Sequence, residues 1–145
     1  AYEYFVRNTD IPAYAAKISD HIKAGGQAPL VLLGFSTGAA AIWHLSRDPD
    51  MKHVRQAFCF YGSRIRDHMD ICPVFPSTLI FPGSEPGFEV RELMDQAQKI
   101  PGVRCIREEK GLHGFMNQRS KNFSAPLYEK WIHKINQWIK ANSLG

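Results

Sequence analysis

LVLLGFSTGAAAIWHL, residues 30–45, decides how the rest of the chain is read. Leu30–Phe35 is apolar without alternation, the pattern of a strand buried on both faces in a parallel sheet. The run breaks at Gly34-Phe35-Ser36-Thr37-Gly38, and a dense series of Ala, Ile, Trp and Leu then predicts a helix over 37–47. A strand that passes into a helix through a serine between two glycines is a sharp turn with a hydroxyl at its tip. Gly34 and Gly38 would let strand and helix approach closely. Ser36 would be the presented nucleophile, and the Thr37 amide, at the helix start, would face a developing oxyanion. A structural or phosphate-cradling turn is the competing reading.

Outward from this turn the pattern repeats. Ile11, Tyr14, Ala15, Ile18 and Ile22 share one helical face over 11–24, with Asp10 as N-cap, Pro12 in the first turn and Gly25-Gly26 as the stop. QAFCFYG (56–62), STLIFPG (77–83) and VRCI (103–106) read as further short strands. FEVRELMDQAQKI (88–100) and PLYEKWIHKINQWIK (126–140) read as helices, the second capped by Ser124 and carrying a broad apolar face. Strands alternating with helices imply βαβ units. The expected fold is α/β, a three-layer α/β/α sandwich on a mostly parallel sheet, with residues 1–145 as one domain.

Composition narrows the function classes. The hydrophobic share is 44% and the charged share 22%, both ordinary for a folded chain. No apolar run reaches the roughly 18–20 residues of a membrane span. The opening AYEYFVRNTD lacks the basic start and apolar stretch of a signal peptide. A net charge of +4 is spread from Arg7 to Lys140, with Arg64 and Arg66 the nearest to a cluster, too sparse for a nucleic-acid surface. Cys59, Cys72 and Cys105 form no CxxC pair and read as buried, reduced thiols, so a cytoplasmic location is expected. The six histidines show no paired metal spacing, and no cofactor or metal is expected.

In a parallel sheet, ligands bind outside the carboxyl ends of the strands. Ser36, Gly83-Ser84-Glu85 and Gly111-Leu112-His113-Gly114-Phe115 all fall at such ends. A serine hydroxyl needs a base, and histidine supplies one near neutral pH. A carboxylate on the other ring nitrogen fixes the tautomer. The chain order Ser36, Glu85, His113 matches the α/β-hydrolase arrangement. Asp67 and Asp70 compete with Glu85 as the acid, whereas Glu108 and Glu109 read as a solvated charge run. Phe35, Trp43, Phe88, Phe115 and Met116 are candidates for an apolar acyl pocket, with core packing as their competing role.

GFSTGAA, FCFYGS, LIFPGSEPGF, GLHGFMN and the amphipathic C-terminal helix together resemble the dienelactone hydrolase family of α/β-hydrolases, from about residue 10 onward. The resemblance implies that His113, in the His-Gly-Phe motif, is the catalytic histidine and that the acid lies in the Gly83-Ser84-Glu85 turn. The family's namesake enzymes carry cysteine at the elbow. Ser36 points instead to serine-using esterase-like relatives. The resemblance also implies additional strands before the elbow strand, including the usual source of a second oxyanion donor. The expectation is therefore a truncated α/β-hydrolase fold whose 30–35 strand edge is covered by a missing N-terminal segment or, less favoured, by a second copy. The expected activity is cleavage of small esters, lactones or thioesters. The alternatives are a non-catalytic hydrolase-fold interaction protein and a nucleotide-binding module.

Overall fold

Strands form where the sequence is apolar in both directions from the backbone. A computed structural model describes residues 10–142, so the opening segment read for a leader lies largely outside it. It contains β1 (Leu30–Phe35), β2 (Val54–Phe60), β3 (Ser77–Pro82) and β4 (Val103–Glu108). They pair in parallel in the order β1-β2-β3-β4. The helices are α1 (Ile11–Ala24), α2 (Thr37–Leu45), α3 (Val90–Ala97) and α4 (Ala125–Ala141). Asp10 caps α1 by accepting from the Ala13 amide at 3.3 Å, and Ser124 caps α4 by accepting from Leu127 at 3.3 Å.

Strand residues alternate between two cores. Ala57, Cys59, Leu79 and Phe81 pack with α1, α2 and α3 through Ile11, Ala15, Trp43 and Leu93. Phe58, Phe60 and Ile80 pack on the other side against Phe115 and against Trp131 and Ile135 of α4. Helices therefore cover both faces, and the three-layer α/β/α expectation holds.

Element bounds agree with the sequence reading to within three residues, and two of the differences have local reasons. β2 runs 54–60 instead of 56–62 because Tyr61 turns to a positive φ of 39°, which ends the extended run. α3 starts at Val90 because Phe88 is tied back to Glu85 in a small antiparallel bridge.

Three further expectations are corrected. Glu108 is not part of a solvated run. It is buried at the end of β4, where its carboxylate accepts from the Trp131 indole at 2.9 Å and from Lys130 at 2.7 Å. Cys72 is exposed, unlike buried Cys59 and half-buried Cys105; it lies in a connection outside the strands, and all three thiols are free. Gly38 needs no special room, as shown below.

β1 has β2 as its one partner among the described strands, and Leu33 and Phe35 are 44% and 42% exposed. No described helix is long and apolar enough to cross a membrane.

Candidate active site

The turn after β1 is strained and held. Ser36 has φ 55° and ψ −119°, a region that non-glycine residues rarely occupy. Its amide donates to the Phe60 carbonyl at 2.9 Å, and its carbonyl accepts from Ala40 at 3.2 Å. At Gly34 an added Cβ would sit 2.6 Å from the Ile42 side chain and 2.9 Å from the Ala39 backbone, so α2 lies directly on the strand. At Gly38 the nearest atom to an added Cβ is the Tyr14 hydroxyl, at 3.8 Å. The close approach is made at Gly34 alone.

The histidine loop follows β4. Gly114 takes φ +93°, and a Cβ there would stand 2.7 Å from the Ser120 hydroxyl. The Asn122 side-chain amide donates to the His113 carbonyl at 2.9 Å. The acid turn follows β3, where Glu85-Pro86-Gly87-Phe88 folds tightly with Gly87 at φ +87°. Gly83 joins the two loops, since its amide donates to the Gly111 carbonyl at 2.9 Å.

These loops bring three distant side chains into one line. Ser36 Oγ lies 3.0 Å from His113 Nε2. His113 Nδ1 lies 2.7 Å from Glu85 Oε1. In the tautomer with its proton on Nδ1, the ring donates to Glu85 and accepts from the Ser36 hydroxyl. The Glu85 side chain is 6% exposed and that of His113 is 31% exposed, so the carboxylate is shielded while the imidazole faces the surface cleft. Asp67 sits across a cleft from the ring and makes no hydrogen bond to it, and Asp70 lies close enough to His44 to act on its charge. Glu85 is the carboxylate on the ring.

Because Ser36 Oγ is turned to the histidine, it does not cap α2. The Thr37 amide opens the helix with no backbone partner among the described residues, and it lies beside the serine in the cleft wall. The site opens on two sides. A groove of about 970 Å³ runs past Phe35, Tyr61, Met116, Asn117 and Lys121, and a cleft of about 270 Å³ is walled by Thr37, Ser63, Arg64, Arg66 and Asp67. Of the five acyl-pocket candidates, Phe35 and Met116 line the groove. Trp43 and Phe115 are core residues, and Phe88 lies under the Arg66 guanidinium at 4.7 Å. Among the described residues, no group of three or more His, Cys, Asp or Glu side chains is placed to hold a metal.

The sequence reading missed Tyr61. Its ring centre lies 4.9 Å from that of His113, and burial pushes its phenol up to about 12, partly offset by the Met116 amide. It is therefore an uncharged wall for the His113 ring at neutral pH. The available signal was its place at the carboxyl end of β2, beside the end that carries Ser36.

The described strands and helices match those of a crystal structure described as a predicted CIB-like hydrolase from Thermoplasma acidophilum, with a TM-score of 0.62 and 19% sequence identity. The fold is α/β-hydrolase-like. The match covers 94% of this chain and 62% of that one. In sequence, the chain is 33% identical over 136 residues to the uncharacterized protein YczH of Bacillus subtilis, covering 93% of this chain and 66% of YczH. The chain thus spans a little under two-thirds of the length of each. No protein-family model matches it.

Proposed function

We propose that this chain carries the hydrolytic centre of a serine hydrolase acting on small esters, lactones or thioesters, similar to the serine-using relatives of the dienelactone hydrolases. The observation that carries the reading is the unbroken hydrogen-bond line from Ser36 through His113 to Glu85. His113 Nε2 takes the Ser36 proton as Oγ attacks the substrate carbonyl, and Glu85 stabilises the resulting imidazolium. The negative charge moves to the carbonyl oxygen, where the Thr37 amide and the positive end of α2 favour it. Collapse of the tetrahedral species breaks the bond to the leaving oxygen or sulfur, which takes the proton from Nε2. Water, deprotonated by the same ring, then cleaves the acyl-serine and restores Ser36.

The phosphate-cradle reading is disfavoured because the Ser36 hydroxyl is already engaged by His113. The motif also lacks the lysine of a P-loop. The test is covalent labelling. A fluorophosphonate probe is expected to modify Ser36 and p-nitrophenyl acetate to be hydrolysed, both lost in Ser36→Ala. A folded protein that resists the probe and leaves the ester intact would instead support the non-catalytic interaction reading.

A further inference from the structure

We propose that Arg107 is a positioning residue for the acid of this site, fixing through the Gly83 carbonyl where Glu85 meets His113. The inference rests on the serine-hydrolase reading of the triad. Arg107 lies on β4 opposite Phe81 of β3, one residue before the strand ends. Its guanidinium forks onto the Gly83 carbonyl, with Nε at 3.1 Å and Nη2 at 2.8 Å. Gly83 is held on two other sides. Its amide donates to Gly111, and an added Cβ would overlap the Glu109 carbonyl oxygen.

Glu85 leaves the chain two residues after Gly83, and His113 two residues after Gly111. The 2.7 Å contact between them therefore spans two short arms from one joined point. Arg107 supplies both side-chain donors on the acid's arm. Beyond Gly83 that arm is restrained by the Glu85–Phe88 bridge and by Arg66 over Phe88, neither of which sets its height relative to β4. Catalytic groups tolerate displacements of only about 0.5 Å, so a carbonyl that loses both donors matters to the base. The other partner of Arg107 is the 76% exposed Glu109 carboxylate at 3.5 Å, a surface contact with little holding power.

The experiment compares Arg107→Met, Arg107→Lys and Glu109→Ala by two readouts. The first is kcat and KM on p-nitrophenyl acetate. The second is the downfield proton resonance of the His113 Nδ1–H in a Ser36→Ala background, which needs no activity. Arg107→Met is expected to lower kcat at least tenfold with KM within about twofold, and to move the resonance upfield or broaden it away. Arg107→Lys, which returns one donor, is expected to fall between Met and the native protein, and it carries the test if the Met variant does not fold. Glu109→Ala is expected to match the native protein. A folded Arg107 variant with a native resonance overturns the proposal, even where kcat falls, because a merely structural role would leave the Glu85–His113 bond untouched. Failure of the hydrolase reading looks different: no probe labelling of Ser36 in the native protein, with the resonance still able to decide the role of Arg107.

Discussion

At the scale of single residues, the proposed triad makes sharp demands. Ser36→Ala and His113→Ala are each expected to lower kcat by about 10³-fold or more, measured on an activated ester. Glu85→Asp shortens the acid by one methylene, which opens the 2.7 Å contact to Nδ1. A loss of about tenfold to a hundredfold in kcat is expected, and unchanged turnover would show that the acid does not act through the ring. That Ser36, Glu85 and His113 meet was legible because each follows an apolar strand within a turn marked by glycine. Tyr61 and Arg107 were not, because their roles depend on partners 52 and 24 residues away that only the folded sheet reveals. Glu108 was misread for the same reason: charge in a sequence reads as solvated until a Trp131 indole is found on it. The cysteines give an independent check. Burial pushes the Cys59 and Cys105 thiols up to about 12, while Cys72 is exposed. A disulfide-exchange reagent near pH 8 is expected to titrate one thiol quickly and the other two only after denaturation.

Among the elements, the packing of α2 on β1 is the feature that aims the serine. Gly34→Ala forces a methyl into the Ala39 backbone, and an overpacking cost of about 1–3 kcal/mol is expected in denaturant unfolding. Gly38→Ala meets no such obstacle and replaces a poor helix former, so stability is expected to be unchanged or to rise by up to about 1 kcal/mol. Equal losses at the two positions would refute this account of the elbow. On the opposite face, Trp131→Phe removes a donor from the buried Glu108 carboxylate and is expected to cost about 1–3 kcal/mol. The strands and helices themselves were read from the sequence within a few residues, since unbroken apolar runs and amphipathic spacing have distinct periods. The ends drifted where one residue left its regular conformation, as Tyr61 does after β2.

Over the whole molecule, buried protons link stability to alkaline pH. The folded chain holds the Cys59, Cys105 and Tyr61 protons to about 12, whereas unfolding returns the thiols to about 9 and the phenol to about 10. The unfolded state then binds fewer protons, so the stability these groups contribute is complete below pH 9 and is lost as pH rises toward 12. Thermal midpoints measured across that range are expected to fall steadily, and a flat profile would contradict the burial of these groups. The order of the sheet has a consequence for how the protein is made. Its strands stand side by side in the order in which a ribosome would deliver them. Ser36 follows β1, Glu85 follows β3 and His113 follows β4, the last of the described strands, so Ser36 stays without its histidine until β4 docks. If the proposed hydrolytic role holds, competence would arrive as a single late event of folding, and a chain stalled partway would hold no working centre to turn on its surroundings.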